Sequence, residues 1–279
     1  MYSPTVTHFA ELSREKAIAC RRAPFGFFVG AMLAGAYIGI AMILALSVAA
    51  SLPAGERPLV MGAVFGVGLI LTVFAGAELF TGYAMYVGFG LSRDSISGTD
   101  ALRLLVMVWV GNLAGALILV ALFVAGGGGA IFAGNAEALH TYVSHKVYAD
   151  WVALLARGAL CNWLVCLAIW TATRVEGDAA KCVVLAWVLL AFVASGFEHS
   201  VANMTALALG LAVPDATVDL AGAARNLFLV TIGNLAGGLV LVVGAYLAAE
   251  RTDADVGPAL HDAGPLPTAL RSPAGLPAE

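Results

Sequence analysis

Between residues 23 and 250 the chain carries six long stretches that are almost free of charge, and few folds are open to a chain built this way. Residues 23–55, 104–136 and 226–249 contain no Asp, Glu, Lys or Arg. Residues 58–92 contain only Glu78, and residues 182–213 only Glu198, next to His199. Residues 150–173 hold Asp150 and Arg157 near one end and no charge after them. Each stretch is longer than the roughly 20 residues that cross a hydrocarbon core. Lipid offers the backbone no hydrogen bonds, so only helices or closed barrels cross it, and these runs lack the alternation of barrel strands. The expected fold is therefore an all-α membrane protein of six transmembrane helices. Composition agrees: 61% of the 279 residues are hydrophobic, 11% are charged and the mean hydropathy is +0.93, where a soluble domain carries about 25% charged residues.

Basic residues set the orientation. With the N-terminus inside, six crossings leave Arg14, Lys16, Arg21, Arg22, Arg93, Arg103, Arg174, Lys181, Arg251 and Arg271 in cytoplasmic segments, and Arg57, Lys146, Arg157 and Arg225 outside. Ten against four predicts that both termini are cytoplasmic. Residues 1–22 read as a polar, amphipathic cytoplasmic N-terminal segment, residues 23–250 as the six-span transmembrane domain, and residues 251–279, with five prolines, as a disordered cytoplasmic tail. The four cysteines, Cys20, Cys161, Cys166 and Cys182, form no C-x-x-C pair or Cys/His cluster, so neither a metal site nor a disulfide framework is expected.

The chain also repeats itself. Gly111-Asn112-Leu113-Ala114-Gly115 in the third span returns as Gly233-Asn234-Leu235-Ala236-Gly237 in the sixth. Glu78 and Glu198 hold the same register in the second and fifth spans. A repeat of three spans enters the membrane from the opposite side the second time, which makes an inverted repeat of three plus three. The small residues of the Gly-Asn segments read as close helix packing.

The second and fifth spans carry the candidate chemistry. They read Phe74-Ala75-Gly76-Ala77-Glu78-Leu79-Phe80-Thr81-Gly82 and Ala194-Ser195-Gly196-Phe197-Glu198-His199-Ser200-Val201-Ala202-Asn203. Glycine, hydroxyls and an acid interrupt an apolar run at corresponding places, which predicts broken helices and a transport site between the halves. Thr81 and Ser200 are the expected N-caps of the half-helices that follow, whose positive ends favour anions. A bare carboxylate would repel an anion, so Glu78 and Glu198 are expected to bond the free N–H groups of their own broken loops. His199 is the histidine of the membrane runs. It reads as functional, either exchanging a proton with the solute or donating a hydrogen bond while neutral.

The segments Ala77-Glu78-Leu79-Phe80-Thr81-Gly82, Gly158-Ala159-Leu160-Cys161-Asn162-Trp163-Leu164-Val165-Cys166 and Ala194–Met204 resemble the formate/nitrite transporter family, within it the nitrite channel branch. The resemblance spans residues 25–250. It implies an aquaporin-like six-helix protomer in a homopentamer, with one pore per protomer. It implies that Leu79, Phe80 and Thr81 form the loop of the second span and that His199 faces Thr81 in the pore. Leu69 and Phe192 would form the cytoplasmic constriction, and Phe65 with Phe80 the periplasmic one. Asn162 and Lys146 would be further polar residues on the anion path, while Glu78, Glu198, Ser200 and Asn203 would stabilise the loops. For Phe65, Leu69 and Phe192 the residues alone suggest no more than helix packing.

The expected function is passage of a small monovalent anion, nitrite first and formate or hydrosulfide as alternatives, across the bacterial inner membrane. The expected partners are that anion, membrane lipid and further copies of the chain, with no cofactor and no nucleic acid. A water or neutral-solute facilitator also uses two half-helices, but the Asn-Pro-Ala pair of that family is missing. A membrane enzyme is disfavoured, because the chain has no metal motif, phosphate-binding glycine loop or nucleophile elbow.

Overall fold

The computed structural model describes residues 2–133 and 136–251. Residues 252–279, which hold nearly all of the expected tail, lie outside the described residues. The described chain is helical, with no strand. Helix α1 (Ser3–Arg22) is followed by α2 (Pro24–Ala50), α3 (Arg57–Phe74), α4 (Phe80–Ser92) and α5 (Gly98–Ala125). After the short α6 (Gly129–Phe132) come α7 (Glu137–Val147), α8 (Trp151–Arg174), α9 (Asp178–Ala194), α10 (Ser200–Ala212) and α11 (Leu220–Ala236), the last running on through a π-helical stretch at Gly237–Gly244.

Local sequence explains where these helices start. Prolines stand in the first turns of α1, α2 and α3, where a missing N–H costs nothing. Ser97 and Asp100 form a reciprocal capping box at the start of α5. Asp150 caps α8 by accepting from the Val152 N–H, and Asp219 caps α11 by accepting from the Gly222 N–H. Among the described residues, five helices are long and apolar enough to cross a membrane: Pro24–Ala50, Arg57–Phe74, Gly98–Ala125, Trp151–Arg174 and Leu220–Arg251. The remaining apolar stretch, 182–213, is divided between α9 and α10. Many large apolar side chains face outward, among them Leu33, Ile40, Leu117, Leu122, Trp187 and Val240. That suits a hydrocarbon surrounding rather than water.

Two interruptions stand at matching positions. The chain leaves α3 through Gly76 at φ 74° and α9 through Gly196 at φ 70°, a left-handed conformation that glycine adopts without a Cβ penalty. Extended residues Leu79 and His199 then lead into α4 and α10.

Packing repeats between the halves. α2 lies along α5 and α8 along α11, and the Gly-Asn segments make both contacts possible. A Cβ on Gly115 would sit 1.9 Å from the Met32 carbonyl oxygen, and one on Gly237 2.2 Å from that of Ala159. The repeat reaches further than three apolar stretches. α1 packs on α4 as α7 packs on α10, so each half begins with a polar helix laid against its own short half-helix. Between the halves, α3 packs on α9, and α10 on α2 and α5.

Candidate functional site

Each broken loop is tied down by an asparagine from the Gly-Asn repeat. Asn112 Oδ1 accepts the Phe80 N–H at 2.9 Å, while its Nδ2 donates to the carbonyls of Ala31 and Glu78 at 2.7 and 2.9 Å. Asn234 makes the same three bonds in the other half: it accepts the Ser200 N–H at 2.9 Å and donates to Gly158 and Glu198 at 2.8 and 2.9 Å. The Glu78 N–H donates to the Gly30 carbonyl at 3.1 Å and the Glu198 N–H to that of Arg157 at 3.2 Å. Backbone groups freed by the breaks are thus satisfied inside protein, as an apolar surrounding demands. Asn112 and Asn234 were not foreseen in this role. Their signal was an amide within an apolar span, repeated in register.

This arrangement corrects the expected capping. Leu79 and His199, not Thr81 and Ser200, are the N-cap residues. His199 Nδ1 accepts from the Ala202 N–H at 3.1 Å. Ser200 begins the helix proper, where its hydroxyl cannot turn back on the first turn, and its buried Oγ has no hydrogen-bond partner among the described residues. Thr81, one residue inside α4, reaches across instead: its Oγ1 lies 3.2 Å from His199 Nε2. With Nδ1 accepting, the neutral ring carries its hydrogen on Nε2 and donates it to Thr81. This contact joins the N-terminal ends of α4 and α10, so both helix dipoles present their positive ends at one place.

The glutamates are held differently from the expectation as well. Neither carboxylate bonds its own loop; each pairs with a lysine from the polar helix of its half. Lys16 of α1 donates to Glu78 Oε1 at 2.7 Å, and Tyr83 donates to Oε2 at 2.8 Å. Lys146 of α7 and Asn203 both donate to Glu198 Oε2, at 2.9 and 2.6 Å. The second pair is the more buried, with side-chain exposures of 7% for Lys146 and 5% for Glu198. Burial pulls the Lys146 ammonium down, but the Glu198 carboxylate outweighs it and holds the group above its ordinary range. Asn226 locks this corner by accepting from Asn203 and donating to the Lys146 carbonyl. The asparagines had already satisfied the loops, which leaves the carboxylates free to neutralise the ammonium groups.

Two cavities flank the Thr81–His199 contact. The larger, about 490 Å³, opens beside α7 and is lined by Met61 and Phe65 of α3, Phe192 of α9, Lys146, Glu198 and His199. The smaller, about 220 Å³, lies at the other end of α3, where Leu69, Leu79 and Glu78 meet Phe9, Leu12 and Lys16 of α1. The expected pairing of the apolar residues is therefore revised. Phe65 and Phe192 meet edge-on with centroids 5.7 Å apart, and Phe192 stacks on the His199 ring at 5.8 Å. Leu69 sits one helical turn beyond Phe65, so it lines the opposite cavity with Leu79. Phe80 is buried and lines neither cavity. Asn162 also lies outside both linings, donating to the Thr81 and Asn234 carbonyls at 3.1 and 2.6 Å, which makes it a fastener of the centre.

Comparison with known proteins fits this geometry. A profile described as Formate/nitrite transporter matches residues 6–248. The chain is 41% identical to the nitrite transporter NirC of Escherichia coli (strain K12) over 258 residues, covering 92% of this chain and 96% of that protein. It is 33% identical to the formate channel FocA of the same strain over 242 residues, 78% of this chain and 84% of that one. A solved FNT family ion channel superposes with a TM-score of 0.84 at 41% identity, covering 88% of this chain and 99% of the other. A pentameric formate channel with formate bound gives 0.71 at 29% identity, over 83% and 99% of the two chains. The two asparagine-tied loops, the paired cavities and a match over nearly the whole length make this chain a member of the formate/nitrite transporter family.

Proposed function

We propose that the chain is a six-span channel for small monovalent anions, nitrite first among them, in the bacterial inner membrane, with formate the alternative substrate. The observation that carries this reading is the Thr81–His199 contact, 3.2 Å long, where the positive ends of two half-helices meet between two cavities. Likeness to NirC over 92% of the chain favours nitrite over formate. Likeness to a pentameric channel supports five copies with one pore in each.

In this reading an anion enters either cavity, loses water against the Phe65–Phe192 pair or the Leu69–Leu79 pair, and is met at the centre by the Thr81 hydroxyl and the His199 Nε2–H. Lys16–Glu78 and Lys146–Glu198 stand at the two approaches as neutralised pairs, so neither carboxylate repels the anion as a bare charge would. His199 acts as a neutral donor. Its Nδ1 lone pair is occupied by the Ala202 N–H, so a second proton on the ring would cost the cap of α10. The α1 end is the cytoplasmic side, with both termini there, and the α7 end is periplasmic. The chain transports and performs no chemical turnover. Purified protein in liposomes tests the reading: anion-selective nitrite flux with nitrite recovered unchanged supports it, and absence of flux from an assembled oligomer contradicts it.

A further inference from the structure

Three cationic side chains line the larger cavity, Arg57, Lys146 and Arg157, beside the imidazoles of His145 and His199. Two of them are already engaged. Lys146 is neutralised by Glu198 at 2.9 Å. Arg57 donates through Nε to the Leu52 carbonyl at 3.0 Å and stands 4.0 Å from Glu137. The exposed guanidinium of Arg157 has no hydrogen-bond or ion-pair partner among the described residues. Its backbone is nevertheless fixed at the broken span. The Arg157 carbonyl accepts the Glu198 N–H at 3.2 Å, and the next carbonyl, of Gly158, accepts from Asn234 at 2.8 Å. An unpaired cation is thus anchored one residue from the hub of the second loop, on the wall of the cavity that His199 also lines.

We propose that Arg157 is the capture residue of this cavity and that it favours planar anions with two oxygens, such as nitrite and formate, over single-centre anions such as hydrosulfide. The inference rests on the anion-pathway reading above and adds a substrate class to it. A guanidinium presents its N–H donors as a rigid planar fork that matches two oxygens at once, whereas an ammonium acts as a point charge. Lys146 lacks that fork, and its charge is already balanced. Arg157 therefore supplies both the uncompensated charge and the geometry that discriminate at this mouth, ahead of the apolar Phe65–Phe192 pair.

The full-length protein, reconstituted in planar bilayers with anion added from the α7 side alone, tests the proposal. Arg157→Gln should raise the half-saturating concentration about fivefold for nitrite and formate, the size expected for one partly solvated charge-assisted contact. The maximal rate should stay near the wild-type value, and the hydrosulfide half-saturation should rise clearly less than that of nitrite, because hydrosulfide loses the charge but no two-oxygen fork. Arg157→Lys should keep attraction for all anions and lose the preference for two oxygens. Unchanged nitrite half-saturation in Arg157→Gln overturns the proposal, and so does an equal rise for hydrosulfide, which reports plain charge attraction. An effect seen only in bilayers containing anionic lipid assigns Arg157 to a headgroup phosphate and overturns it too. Wild-type protein that carries no nitrite at all sinks the channel reading instead. Gel filtration of each variant checks assembly, which the backbone contacts of Arg157 leave intact.

Discussion

Thr81 Oγ1 and His199 Nε2 lie 3.2 Å apart although 118 residues separate them in sequence. The contact exists because the interruptions after α3 and α9 bring the N-terminal ends of α4 and α10 to one place. Everything around it serves to hold those helix starts still: Asn112 and Asn234 tie the loops, and Asn162 holds the Thr81 carbonyl.

The asparagine ties should dominate stability. Asn112→Ala or Asn234→Ala strands a buried N–H and two carbonyls, each worth about 1–3 kcal/mol when left unsatisfied. We expect lower thermal midpoints in detergent and loss of the assembled oligomer for both variants, by similar amounts because the two sites are equivalent. A variant that assembles with an unchanged midpoint would show that the loops hold themselves.

The Lys146–Glu198 pair should behave as a unit. Glu198→Gln leaves the Lys146 ammonium buried without a counter-charge, a change that costs about 3–5 kcal/mol. Lys146→Met combined with Glu198→Gln should recover much of that loss. Glu198 raises the Lys146 value above its ordinary 10.5 in the folded protein. The stabilisation is therefore complete below that value and is lost only as pH rises through the raised one. Wild-type midpoints measured in neutral and mildly alkaline buffers should show no loss from this pair. If the double variant is as unstable as Glu198→Gln alone, the coupling is refuted.

The apolar pairs should restrict passage. Phe192→Ala opens the edge-on contact with Phe65, and Leu69→Ala opens the opposite cavity. Both should raise single-channel conductance or weaken discrimination among anions, since a dewetting constriction works by excluding water. Complete loss of flux from either assembled variant would make these residues packing elements only.

Sidedness can be read by labelling. In a cysteine-free background, cysteines placed at Arg22 and at Tyr148, both exposed positions, should react from opposite faces of the membrane, with Tyr148 on the periplasmic side. Reaction of both from one face contradicts the inverted arrangement.

Much of this architecture was legible beforehand, and the exceptions have physical reasons. Charge-free runs announce membrane helices, and paired interruptions at Gly76 and Gly196 announce the breaks, because both signals are local. The cap at His199 was missed because histidine is not among the residue types that favour helix N-caps. The sequence points Glu78 at its own loop because its partner, Lys16, lies 62 residues away on a helix outside the apolar runs. The pairing of Phe192 with Phe65 rather than Leu69 depends on which turn of α3 faces which cavity, a matter of three-dimensional register. Asn112 and Asn234 were visible as a repeat, but glycine packing explained the motif well enough to hide the amides.

The central claim is that an anion crosses at the Thr81–His199 contact with His199 as a neutral donor. Nitrite flux into liposomes, measured over a pH series for wild type, Thr81→Val and His199→Asn, tests it most directly. Valine keeps the shape of threonine and removes the hydroxyl. Asparagine keeps a side chain able to cap α10 and removes the Nε2–H. Both assembled variants should pass nitrite about tenfold more slowly, the loss expected for one hydrogen bond made in a dry site, and both should keep the wild-type shape of the pH profile. Wild-type rates in both variants would move the path elsewhere, and a pH profile that changes shape only in His199→Asn would show that the histidine exchanges a proton with its cargo.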